Sequence, residues 1–227
     1  MMRAMKRAFS LFAPIALLAG AASPALAEDI VKTPAARVES QESGGLKTAI
    51  FAGGCFWGVE GVFSHVDGVT SAVSGYHGGT RADADYRAVS SGRTRHAEAV
   101  RVTYDPAKIR YDQLLQIFFA VVADPTQLNR QGPDTGSQYR SALVPMDKGQ
   151  EQVARAYLAQ LSRADLWRGA IVTKIESPKT FYPAERYHQD FMLKNPRHAY
   201  IQRWDAPKVK GLRELFPSLY RAKFVKG

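Results

Sequence analysis

One cysteine, Cys55, occurs in the 227 residues, and two aromatics follow it directly in Gly53-Gly54-Cys55-Phe56-Trp57-Gly58-Val59-Glu60. A strand-like run over residues 48–51 gives way there to a helical pattern over residues 55–65, which puts the thiol at the start of a predicted helix. Unpaired backbone N–H groups and the helix dipole favour an anion at such a position. A lowered thiol pKa and a larger thiolate fraction are therefore expected. The competing reading is a buried, inert residue, because free cysteine packs as a small hydrophobe. Other residues able to assist a nucleophile are Tyr86, Glu98, Asp134, Tyr139 and His188, which stand in glycine-rich or loop contexts or, for Glu98, on a strand. A Cys-His hydrolase would need a histidine in contact with the thiol, and spacing alone places none there.

Several other chemistries lack their residues. No phosphate-binding G-x-x-x-x-G-K-[ST], no G-x-G-x-x-G after a strand and no G-x-S-x-G is present. His96-Ala97-Glu98 has the H-x-E of a zinc deaminase without the P-C-x-x-C that supplies the remaining ligands. The histidines at 65, 77, 96, 188 and 198 have neither an i, i+4 pair nor a cysteine spacing suited to zinc, so no metal is expected.

The elements that must position these residues follow from hydrophobic period. A strand is expected over residues 69–74, running into Gly75-Tyr76-His77-Gly78-Gly79. Residues 97–104 alternate, so that Glu98, Val100 and Val102 share one face. Residues 111–122 have the spacing of a helix packed on a sheet. A long loop without secondary structure is expected over residues 124–138; loops of this kind inside compact domains are often functional. A strand over 139–144, a helix over 148–161 and a strand over 170–175 complete the order β-α-β-β-α-β-α-β. This predicts an α+β fold, a two-layer α/β sandwich on a central mixed, mainly antiparallel sheet. Pro183 suits the first turn of a short helix, and residues 195–227, with Pro196, Pro207 and Pro217, are expected to wrap the domain as an extended tail anchored by Trp204, Leu212, Leu215 and Phe216.

At the other end, Arg3, Lys6 and Arg7, an apolar stretch over residues 8–19 and Ala25-Leu26-Ala27 read as a secretory signal over residues 1–27, cleaved after Ala27. Residues 28–46 read as a flexible leader and residues 47–227 as a single catalytic domain. Export, to the periplasm, is expected, with no stable membrane insertion. The net charge of +10 falls to +7 once the three basic residues of the signal are removed. The remaining Lys and Arg are scattered, which reads as a solvated surface and not a nucleic-acid interface. An exported chain with one cysteine cannot close an internal disulfide, so the thiol is either inert or kept free for chemistry.

The string Gly54-Cys55-Phe56-Trp57-Gly58-Val59-Glu60 resembles the signature of the peptide methionine sulfoxide reductases of the A class. Further blocks resemble that family in the same order: Gly75-Tyr76-His77-Gly78-Gly79, Tyr86-Arg87-Ala88-Val89, His96-Ala97-Glu98-Ala99-Val100, Asp124-Pro125-Thr126, Gln138-Tyr139-Arg140-Ser141 and Ala184-Glu185-Arg186-Tyr187-His188-Gln189. The likeness spans residues 47–191. It implies reduction of methionine S-sulfoxide, protein-bound or free, with Cys55 as nucleophile and a sulfenic acid as intermediate. It implies Glu98 as acid toward the sulfoxide oxygen, Tyr86 and Tyr139 as hydrogen-bond donors to it, and Asp134 as an orienting group. Phe56 and Trp57 would seat the S-methyl group, and His188 would support the site from behind.

Arg95 and Ala123 stand where the family commonly has glycine and histidine, and the tail lacks the resolving cysteines of many relatives. The resemblance thus implies no bound cofactor and an external reductant: thioredoxin-like, glutaredoxin-like or glutathione. The partners are then oxidised proteins and a thiol reductant, with the chain a monomer. Two other readings remain at this point, a one-cysteine thiol peroxidase and a non-catalytic module that binds methionine through Phe56 and Trp57.

Overall fold

In the computed structural model, residues 30–227 are described; residues 1–27, expected to be a secretory signal, lie outside them. Six strands form the main sheet: β1 (Lys47–Gly53), β2 (Val69–His77), β3 (Ala97–Tyr104), β6 (Ser141–Val144), β7 (Lys174–Ile175) and β8 (Phe181–Pro183), in the order β7-β6-β1-β3-β2-β8. All neighbours are antiparallel except β6 and β7, as expected of a mixed, mainly antiparallel sheet. A separate hairpin, β4 (Arg130–Gln131) with β5 (Asp134–Thr135), orders the stretch expected to be a loop. The helices are α1 (Phe56–Ser64), α2 (Tyr86–Ser90), α3 (Tyr111–Ile117) with a π-helical turn Phe118–Val122, α4 (Lys148–Leu161), α5 (Phe191–Lys194) and α6 (Ala206–Leu215).

Strand alternation sorts the side chains between the two faces. Ala49 and Phe51 of β1 and Val100, Val102 and Tyr104 of β3 join the large core with α1 and α3, whereas Ile50, Ala52, Ala97 and Ala99 form a small cluster on the other face. Glu98 shares the parity of Val100, which directs it toward the large core as the alternation predicts. Phe51 anchors that core, with its ring 4.7 Å from Phe63 and 5.6 Å from Phe118.

The two terminal segments differ from expectation. The leader is a packed strap and not a flexible one. The Val31 N–H donates to the Ala120 carbonyl, Thr33 and Gln116 exchange hydrogen bonds, the Ser40 N–H donates to Asp112, and Tyr104 donates to Glu42 at 2.6 Å. These are scattered polar contacts to distant elements, so no hydrophobic period announces them.

The tail is helical over much of its length, not extended. A π-helical turn, Ile201–Asp205, leads into α6, with Pro207 in its first turn. Leu212 is fully buried, and Leu215 and Phe216 pack against the core as anchors. Pro183 starts no helix; it closes the edge strand β8, opposite Gly75, where its lost donor is tolerated. The expected strand over 170–175 contracts to two residues.

Because the strap contributes several hydrogen bonds, each worth about 1 kcal/mol, a variant that begins at Lys47 is expected to melt more than about 5 °C below one that begins at Glu28. Equal melting temperatures in scanning calorimetry would restore the flexible leader.

Candidate active site

Gly54 turns the chain between β1 and α1. Its φ is +89°, and an added Cβ would lie 2.5 Å from Cβ of Gln131, so neither the backbone nor the space admits a side chain. Gln131 in turn clamps the Asp124 backbone, accepting from its N–H at 3.0 Å and donating to its carbonyl at 2.8 Å. Cys55 is therefore the N-cap of α1, as expected, but with no side-chain cap. The Phe56 N–H, one of those a helix start leaves unpaired, donates to Oε2 of Glu98 at 3.0 Å. This bond brings a carboxyl from the start of β3 to the residue next to the thiol. Opposite Glu98 in the sheet is Tyr76, whose hydroxyl donates to Glu185 at 2.7 Å.

The electrostatics overturn one expectation. The Cys55 thiol is pushed well above its ordinary value, first by burial and then by the nearby carboxylates of Glu98, Asp205 and Asp134; the Trp57 backbone N–H opposes this and is outweighed. The helix-start effect that favours a thiolate is thus present and too small. Burial also raises Glu98, to about 8, against the pull of its bond from Phe56. At neutral pH Glu98 therefore holds a proton, and the charge it would set against Cys55 is largely absent.

Asp134 is raised by burial, with Tyr200 and Lys208 opposing, and its carboxylate accepts from the Tyr200 hydroxyl. Burial raises Tyr86 to about 12 and Tyr139 further, and Glu98, Cys55 and Asp134 act on both. Neither phenol ionises near neutrality, so both remain donors.

The aromatic wall is organised by His188. Its Nδ1 accepts from the Trp57 indole N–H at 3.1 Å, and its ring lies 4.4 Å from Tyr86 and 5.0 Å from Phe56. Burial lowers its pKa, which keeps the imidazole neutral and able to accept. Trp57 is half-buried and lies flat on Phe191 at 3.7 Å, whereas Phe56 is closed into the core at 1% exposure. Cys55 lines a narrow cleft of about 10 Å³ with Gln131, Pro133, Asp134, Tyr200, Trp204 and Lys208.

The eight residues expected from the sequence, Cys55, Phe56, Trp57, Tyr86, Glu98, Asp134, Tyr139 and His188, are thus brought together. Sequence reasoning missed Tyr200, Trp204 and Lys208 from the tail, and Glu185, which accepts from the Tyr86 N–H at 2.9 Å and from Tyr76. Only Glu185 carried a signal, standing in the same block as His188. His96, the remnant of the deaminase pattern, is buried with Nε2 against the Thr80 carbonyl and close to Asp83. Among the described residues no group of three or more His, Cys, Asp or Glu could hold a metal ion.

Comparison with known proteins gives consistent matches. The family described as peptide methionine sulfoxide reductase matches residues 47–218. The chain is similar to peptide methionine sulfoxide reductase MsrA 2 of Mesorhizobium japonicum, 56% identical over 186 residues, covering 82% of this chain and 95% of that protein. Similarity to the MsrA of Deinococcus radiodurans is 50% over 177 residues, covering 78% and 85%. Among solved structures, Mxr1 of Saccharomyces cerevisiae in reduced form superposes with a TM-score of 0.60 at 32% identity, covering 71% of this chain and 92% of that one. Methionine sulfoxide reductase A of Corynebacterium diphtheriae superposes at 0.58 and 35%, covering 69% and 78%.

The charge arrangement has a direct readout. Alkylation of Cys55 by iodoacetamide is expected to titrate with a midpoint above the ordinary thiol value of about 8.5, and Glu98→Gln, which removes an opposing carboxylate, is expected to lower that midpoint. A wild-type midpoint below about 7 would mean that the helix start dominates.

Proposed function

The chain belongs to the peptide methionine sulfoxide reductase family, and on that premise we propose how its residues divide the work. The protein reduces methionine sulfoxide to methionine with thiols as the source of electrons and no bound cofactor. The observation that carries the assignment is a protonated Glu98 seated on the first N–H of α1, beside Cys55.

In this reading, methionine S-sulfoxide enters with its methyl group against Trp57, where sulfur and methyl meet an aromatic face. Glu98 gives its proton to the sulfoxide oxygen, which makes the sulfur electrophilic. Tyr86 and Tyr139 donate to the same oxygen as charge develops. Cys55 attacks as its own proton leaves, and the Glu98 carboxylate just formed is the base at hand. Asp134, held by Tyr200, orients the groups on the other side of the thiol.

The balance is Cys–SH + R₂S=O → Cys–SOH + R₂S: the cysteine sulfur loses two electrons and the substrate sulfur gains them. An external thiol then condenses with the sulfenic acid, releasing water, and a second thiol frees Cys55 as a disulfide of the two thiols forms. Cys55 is the sole cysteine of the chain, which supports a reductant from outside, either a low-molecular-weight thiol such as glutathione or a thioredoxin-like or glutaredoxin-like protein. Export to the periplasm belongs to the same proposal, supported by Arg3, Lys6 and Arg7, the apolar stretch and Ala25-Leu26-Ala27.

With dithiothreitol in excess, the mature protein is expected to convert the S epimer of a methionine sulfoxide peptide and leave the R epimer, and Cys55→Ser is expected to abolish turnover. Glu98→Gln should lower kcat by about 10²–10⁴-fold. Wild-type kcat should fall as pH rises through about 8, because the acid form of Glu98 is lost there. Turnover of the R epimer alone, or full activity in Cys55→Ser, would refute the assignment.

A further inference from the structure

Glu60 lies on α1, one turn beyond Phe56, at 0% exposure, and the chemistry above makes no use of it. A glutamate is almost never fully buried without a partner. Neither of its oxygens closes a well-formed hydrogen bond, and neither does the hydroxyl of Ser74, which is equally buried. Around the carboxyl stand Ser74 from β2, the backbone N–H groups of Asp190 and Phe191, which favour its charge, and the Asp190 carboxylate, which opposes it.

Those two N–H groups belong to a sharp turn: Asp190 has φ +54° and leads directly into α5. The turn is fastened on its outer side, where Asp190 accepts from the N–H of Gly227 at 3.1 Å and pairs with Lys194 at 3.5 Å. Gln189, one residue earlier, accepts from the Ser74 N–H and donates to the Ser74 carbonyl. On its inner side the turn meets α1 so closely that a Cβ on Gly61 would collide with Met192. The residue the turn delivers, Phe191, is the platform on which Trp57 lies, 3.7 Å away and within 6° of parallel.

We propose that Glu60 is a positioning residue: its carboxyl fills the polar seat between α1 and the turn at Asp190 and Phe191, and through Phe191 it fixes the indole of Trp57 without touching substrate. The proposal rests on the reading of Trp57 as the wall that receives the methyl group. Burial pushes the Glu60 carboxyl up to about 8, so at neutral pH it is uncharged. Above that pH a negative charge forms beside Asp190, and among the groups that face it only the N–H groups and the Ser74 hydroxyl can receive it. Lys194 is spent on Asp190, on the far side of the turn. Burial is the main cost of that charge, so the seam between the turn and α1 loosens to admit water, and the platform under Trp57 moves with it.

The test reads Trp57 without substrate, as the difference between the emission of wild type and of Trp57→Phe, from pH 6.5 to 9.5, with every protein compared carrying Glu98→Gln so that the other carboxyl titrating near pH 8 is removed. The expected result is a change in that difference with a midpoint near pH 8, absent in Glu60→Gln, which keeps shape and neutrality. In turnover at pH 7, Glu60→Gln should keep KM for the S-sulfoxide peptide within about twofold, while Glu60→Leu should raise KM about tenfold with kcat within about threefold, a tenfold change being 1.4 kcal/mol of substrate positioning. A pH-dependent Trp57 signal that persists unchanged in Glu60→Gln, or no signal in wild type, overturns the proposal. So does a folded Glu60→Leu with wild-type KM. If Glu60→Leu does not fold, the emission comparison between wild type and Glu60→Gln decides alone. Loss of the reductase reading would appear as absence of turnover in wild type, which leaves the emission result to judge Glu60 separately.

Discussion

The hydrogen bond from the Phe56 N–H to Glu98 joins the start of α1 to the middle of the sheet, and the rest of the site depends on it. It satisfies a backbone donor that would otherwise be buried and unpaired, and it brings a carboxyl to the residue beside the only thiol. Because the bond lies inside the core, burial dominates, and the carboxyl is held as an acid with its pKa near 8. The same burial, with carboxylates from Asp205 and Asp134 added, stores the thiol as a thiol. A protonated cysteine reacts slowly with peroxide, so the resting site is protected from the oxidants whose damage it reverses. Attack becomes favourable when a sulfoxide oxygen arrives to take the Glu98 proton.

This arrangement costs stability on the alkaline side. Glu98 and Glu60 both hold protons in the fold that they release near the ordinary carboxyl value when unfolded. Their contribution is fully present below that unfolded value of about 4.3 and is lost as pH rises through about 8. Glu176 works in the other direction. Burial raises it, but His77 and Arg140 outweigh that and hold it near 2, so its contribution is lost only in acid. Arg140, next to Tyr139, binds both oxygens of Glu176 at 2.7 and 3.1 Å, and this charged clamp holds the turn that presents the phenol.

Much of the site was legible in the sequence, for reasons that differ from residue to residue. Alternation alone turned Glu98 toward the core, and the Gly-Gly approach marked the turn before Cys55. The thiol pKa was misread because helix position is local, whereas the burial that reverses it, and the carboxyls of residues 98, 134 and 205 that add to it, come from distant parts of the chain. The tail was misread because its prolines were taken as breakers. One of them, Pro207, sits where a helix tolerates it, and the apolar spacing of Ile201, Trp204, Leu212 and Leu215 is interrupted by Lys208, which is buried and donates to the Val122 carbonyl. Tyr200 and Trp204 reach the thiol only through that fold-back, and α6 approaches α1 where Gly58 leaves no room for a side chain beside Asp205. The leader's contacts, scattered hydrogen bonds to distant elements, had no pattern to detect.

A single-turnover experiment tests the central claim, that the protonated Glu98 and the Cys55 thiol together move one oxygen from substrate to enzyme. Reduced protein, freed of all thiols, is mixed with excess methionine S-sulfoxide peptide, quenched at intervals and analysed by mass spectrometry of peptide and protein. The account predicts one methionine peptide per chain, one oxygen gained on Cys55 and no further product until a thiol is added. Continued turnover without thiol, or methionine released while Cys55 gains no oxygen, would contradict it.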